Sequence, residues 1–94
     1  MFVVIVEFEL CAGHVEVFRE RVRRQAADSL EFEPDCHVFD VCIDPEREDF
    51  VLLYEVYSDR AAFDAHLASA HFAAFDAEVR DWIRDKRVSV FTRI

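Results

Sequence analysis

His66 and His71 stand five residues apart in the stretch DAHLASAHFAAF, residues 64–75. Two carboxylates, Asp40 and Glu55, interrupt the apolar runs CHVFDVCI and FVLLYEVY. A neutral imidazole gives or takes a proton near pH 7, and a carboxylate in apolar surroundings needs a partner close by. These four residues are therefore the candidate acid–base groups, of a kind suited to enolisation or phenol deprotonation. Tyr54 and Tyr57 flank Glu55 and can hydrogen-bond a substrate carbonyl. Tyr54, Phe39 and Phe72 are the candidate substrate contacts. Alternation along a strand puts Tyr54 and Glu55 on opposite faces, so a regular strand sends only one into a given cavity. Each of these groups also has a purely structural reading: a packed imidazole bonded to backbone, or a carboxylate fixing a strand end.

A metal pair is a poorer use of the two histidines. Five residues on a continuous helix turn through roughly 500°, leaving the rings about 140° apart. Zinc pairs on helices use i, i+4 spacing. A chain break near Ser69, which can cap a second helix from Ala70, would change that geometry. Even so, no third ligand of suitable type lies nearby in sequence, and no metal site is expected. Nucleophilic and nucleotide chemistry find no support either. Cys36 and His37 are adjacent and point to opposite faces of a strand. With one glycine in the chain, neither a nucleophile elbow nor a phosphate-cradling or dinucleotide loop can form. No cofactor is expected.

The elements that must position these groups follow from the hydrophobic periods. Residues 2–10 alternate, with Phe2, Val4, Val6, Phe8 and Leu10 on one face. Residues 14–30 change period, Val15, Phe18, Val22 and Ala26 marking an amphipathic helix. After a loop broken by Pro34, residues 36–43 and 50–57 form two strands joined by the polar turn DPERED, an antiparallel hairpin. Ser58 and Asp59 start a helical stretch to about residue 84, and residues 87–94 alternate as a last strand. The order is β-α-β-β-α-β: an α+β, ferredoxin-like split βαβ with both helices on one face of an antiparallel sheet. Val3, Ile5, Val38, Val51 and Leu53 are read as making the second face apolar too, and a second copy is the simplest cover. A homodimer of one 94-residue domain is expected.

Composition narrows the partners. The net charge of −9, from 20 acidic and 11 basic residues, disfavours nucleic acid. The arginines at 19, 21, 23 and 24 read as a solvated helix face, with Glu20 and Arg24 at the i, i+4 spacing. Hydrophobic residues make up 53% of the chain, ten of them Phe, more than a small monomer readily hides. Three cysteines without a CxxC pattern fit a reducing compartment, and the cytoplasm is the expected location. The apolar start MFVVIVEFEL is short, holds two glutamates and reads as a strand, with no membrane involvement.

The segments GHVEVFRERV, SLEFEPDCHVFDVCIDP and FVLLYEVYSDRAAFDAHLASAHFAAF, with the closing strand, resemble the antibiotic biosynthesis monooxygenase (ABM) domain. YEVYSD and AHLASAHF are the most specific pieces. Glu33-Pro34-Asp35-Cys36 stands where the family commonly has Glu-Pro-Gly-Cys. The resemblance implies a dimeric α+β barrel and one of several activities: cofactor-independent monooxygenation of phenols or quinols, haem degradation, or isomerisation of a phosphorylated quorum signal, autoinducer-2. FDVCIDP, YEVYSD and AHLASAHF look especially similar to that isomerase and its quinol-oxygenase-like relatives. Where the haem-degrading branch carries its Asn, Trp and ligating His, this chain has Glu7, His66 and Asp76, so the haem reading is set aside.

The leading expectation is a cofactor-independent monooxygenase. It would deprotonate a small phenolic, quinol or enolisable carbonyl compound and let the product react with O2. The alternatives are an isomerase of a small hydroxy-ketone and a non-catalytic ligand-binding dimer.

Overall fold

A computed structural model describes residues 1–94. Strand β1 (Phe2–Leu10) leads to helix α1 (Val15–Phe32), the hairpin β2 (Cys36–Asp44) and β3 (Arg47–Tyr57), helices α2 (Arg60–Leu67) and α3 (Ala70–Val79), and strand β4 (Ile83–Thr92). A 3₁₀ turn, Arg80–Trp82, links α3 to β4. The sheet order is β2-β3-β1-β4 with every pair antiparallel, the expected α+β, ferredoxin-like arrangement.

Gly13, at φ 83, makes the left-handed turn that an L side chain resists, and α1 starts two residues later. Its buried stripe is Phe18, Arg21, Val22, Gln25, Ala26 and Ser29, at helical spacing. Pro34 follows the C-cap Glu33, whose N–H bonds the Ser29 carbonyl. The stripe meets Val4, Val6, Phe8 and Leu10 of β1 and Val51 and Leu53 of β3, all buried. Phe18 anchors this core, its ring centroid 5.0 Å from that of Phe8 and 6.3 Å from that of Phe75.

Four details depart from the sequence reading. Arg21 is buried, not solvated: it donates to Glu78 at 2.7 Å and lies over the Phe75 ring. The polar turn closes in two residues, because the Asp44 carboxylate accepts from the Glu46 N–H, so β3 begins at Arg47. Val51 and Leu53 belong to the core against the helices, not to the second face. The second helical stretch breaks where the sequence allowed it, with Ser69 accepting the Phe72 N–H at 3.2 Å as N-cap of α3. It also ends before residue 84, since Ile83 already pairs with Leu10 in β4. Because β4 is an edge strand exposed over most of its length, its first residues show no alternation to read.

Val3, Ile5, Val38, Leu52, Tyr54 and Val56 form the apolar part of the face away from the helices, deduced from register and alternation. No helix is long and apolar enough to cross a membrane.

Candidate active site

Glu55 is the polar intruder in β3. It pairs with Phe39 and Val4 and is 2% exposed on the helix side of the sheet. Tyr57, two residues on, donates its hydroxyl to Glu55 Oε1 at 2.5 Å. Burial pushes the Glu55 carboxyl up to about 7; the Tyr57 hydrogen bond opposes that rise and the Glu33 charge adds to it. Burial, followed by the charge of Glu55, raises the Tyr57 phenol above its ordinary range, so Tyr57 stays a donor. Burial and the neighbouring Glu33 and Glu55 charges push the Cys36 thiol up to about 12, which leaves it no nucleophile.

The break at Ser69 brings the two histidines to one carboxylate. His66, 3% exposed, places Nδ1 at 2.9 Å from Glu33 Oε2 and 3.1 Å from Oε1. His71 places Nε2 at 2.8 Å from the same Oε2, while Gln25 Nε2 lies 3.1 Å from its Nδ1. A carboxylate only accepts, so the His66 proton sits on Nδ1 and Nε2 carries the lone pair. Burial lowers the His66 pKa below its ordinary value, with Glu33 pulling the other way, which favours the neutral ring. It packs among Phe39, Tyr57, Phe63 and Phe72, whose ring centroids lie 5.0–6.1 Å away.

Beside this ring lies a cavity of about 40 Å³ lined by Phe39, Glu55, Phe63, His66, Phe72 and Gln25, among others. Exposed Leu67, Lys86 and Val88 also line it, placing its mouth between the α2–α3 junction and β4. The space suits a few water molecules, and an aromatic ring needs more.

Of the sequence candidates, His66, Glu55, Phe39 and Phe72 share this cavity. His71 does not line it and joins His66 through Glu33 instead. Asp40 and Tyr54 pair with each other, and alternation places both on the outer face, with Asp40 exposed. Glu33, Gln25, Ser29 and Lys86 were missed. Gln25 and Ser29 are polar residues on the buried stripe of α1, and Glu33 is an acid at the helix C-terminus, where the dipole disfavours one. Each was a readable signal. Lys86, the chain's one lysine, gave none.

Glu33, His66 and His71 could also hold an ion, since their ligand atoms all lie within 4.8 Å of one another.

The family model for antibiotic biosynthesis monooxygenases matches residues 1–78. No curated protein matches the chain. Among solved structures, a candidate antibiotic biosynthesis monooxygenase from Nitrosomonas europaea is 26% identical with a TM-score of 0.95, covering 100% of this chain and 99% of its own. A structure described as an antibiotic biosynthesis monooxygenase is 23% identical with a TM-score of 0.90, covering 100% and 99%. A Pseudomonas aeruginosa protein is 22% identical with a TM-score of 0.91, covering 99% and 93%. The last two are likenesses of fold.

Proposed function

The chain belongs to the antibiotic biosynthesis monooxygenase family, and from that premise we propose that it is a cofactor-independent monooxygenase of a small phenol, quinol or enolisable carbonyl compound. The observation that carries the reading is the pairing of buried His66 with half-buried Glu33, which leaves the His66 Nε2 lone pair without a protein partner beside a cavity. His66 Nε2 removes a proton from the substrate. Lys86 at the mouth offsets the negative charge that develops. The carbanion or phenolate then reacts with O2: a CH₂ carbon becomes C=O, one oxygen atom is retained and the other leaves as water. Phe72 and Leu67 at the α2–α3 junction must shift to admit the ring.

Oxygen uptake with a quinol or anthrone-type substrate tests this, and His66→Ala should slow it by about 10²- to 10⁴-fold. Uptake unaffected by that substitution removes His66 as the base.

A second reading has its own support. Glu55, raised to about 7, can hold a proton in the same cavity as the neutral base. An acid and a base together suit proton-transfer isomerisation of a small hydroxy-ketone. Isomer interconversion without oxygen uptake would favour it.

We also propose that a second copy covers the outer sheet face, making a homodimer. The three free cysteines accord with work in the reducing cytoplasm.

A further inference from the structure

We propose that Glu33, His66 and His71 form a binding site for a divalent transition-metal ion of the zinc type. The reasons for expecting none were the angle between the rings on a continuous helix and the lack of a third ligand. Both fall away once α2 and α3 are separate helices and α1 ends on Glu33.

The donors are two imidazole nitrogens and one carboxylate, a set that suits zinc and its neighbours and leaves positions open for water. The separations of both imidazole nitrogens from the carboxylate already approach those of a coordination shell, and all three donors lie within 4.8 Å of one another. Ligands at about 2.0–2.2 Å from a tetrahedral ion lie about 3.4 Å apart. Glu33 Oε2 is 2.9 Å from His66 Nδ1 and 2.8 Å from His71 Nε2, so small outward movements make room for an ion.

Hydrogen bonding within the cluster leaves atoms unexplained. His71 Nε2 is buried and, although 2.8 Å from the carboxylate, lacks the alignment for a hydrogen bond. Gln25 Oε1 is also buried without a donor. Amide oxygen and nitrogen exchange places when the group turns over. Turned, Gln25 Oε1 accepts the Nδ1–H of His71 and frees the Nε2 lone pair for the ion, the usual outer-shell partnership of a metal-bound histidine. An entry path exists as well. Glu33 lines a surface depression of about 360 Å³ together with Phe32, Pro34, Ala62 and Ser69, which shares no lining residue with the small cavity.

Binding stands independently of the catalytic reading. If that reading holds, an ion on His66 Nδ1 leaves the proton on Nε2 and silences the base.

The test is calorimetric titration of chelator-treated full chain with Zn²⁺, repeated with Co²⁺ to read its visible absorption. One ion per chain is expected, with a tetrahedral Co²⁺ spectrum. Glu33→Gln and His71→Ala should each abolish that spectrum and weaken binding by roughly tenfold or more, and Gln25→Ala should weaken it by about 10- to 100-fold. His37→Ala, altering an exposed histidine elsewhere, should leave it unchanged. Thermal unfolding without metal reports whether each variant is folded, and Glu33→Gln serves should His71→Ala not fold. The proposal is overturned by absence of one-to-one binding in the unaltered chain, or by an undiminished site in folded Glu33→Gln or His71→Ala.

Discussion

Glu55 shows how burial moves the titration of an acidic residue into the neutral range. Its surroundings hold Tyr57 as donor, with Glu33 and Lys86 as the charges acting on it. The carboxyl rises from 4.5 to about 7 on folding, so the native state binds its proton more tightly than the unfolded chain. Its contribution is therefore fully present below about pH 4.5 and is lost as pH rises through about 7. Glu55→Gln keeps an acceptor for Tyr57 without the charge. It should raise stability at pH 8 relative to the unaltered chain by on the order of 3 kcal/mol and change little at pH 4, in denaturant melts at both pH values. An equal effect at both would mean that Glu55 titrates normally. The sequence marked Glu55 as a carboxylate among apolar residues. Which of Tyr54 and Glu55 faces the helices was fixed by the pairing of Glu55 with Val4 and Phe39, partners distant in the chain.

Among the elements, the α2–α3 junction matters most. Ser69 caps α3 and also donates to the His66 carbonyl at 2.7 Å, tying both histidine-bearing helices to one hydroxyl. Asp59 caps α2 in the same manner at 2.9 Å from the Ala62 N–H. Ser69→Ala and Asp59→Ala should each cost about 1 kcal/mol in thermal or chemical unfolding. Only Ser69→Ala should also move the His66 and His71 ring resonances in NMR spectra, because it alone lies between them. Equal shifts from both variants would remove Ser69 as the positioning residue. A serine ten residues after the N-cap Asp59 and six before Phe75 made the break legible in advance only as an option. The choice depended on whether both rings had somewhere to go. Glu33, at the end of α1, supplied it.

At the scale of the molecule, the helices cover one face of the sheet and leave apolar surface elsewhere. Ile5 and Tyr54 are cross-strand partners on the outer face, and on β4 Val88, Val90 and Phe91 are about half exposed. An apolar edge strand in water invites association. With a second copy as cover, the chain should sediment with twice its 11.0 kDa mass. Ile5→Asp, placing a charge at the centre of that face, should shift it to one chain. A monomeric unaltered chain at micromolar concentration would rule out this cover. The second apolar face was visible from Val3, Ile5 and Val38, although Val51 and Leu53 were assigned to the wrong side. A strand pattern with few polar residues does not say which apolar residue points where until a partner strand sets the register.

What the sequence determined by itself was the order of elements and the helix-facing side of β1, together with the identity of the two histidines and Glu55 as groups out of place in apolar runs. These follow from local period and residue chemistry, which act over a few residues. Tertiary structure decided that Asp40 and Tyr54 lie apart from the cavity, that His71 reaches His66 through Glu33, and that Gln25 and Lys86 belong to the surroundings. Those outcomes depend on long-range pairing between α1, β3 and α3. Along the chain, Glu33 lies 33 residues from His66, and no periodicity reaches that far.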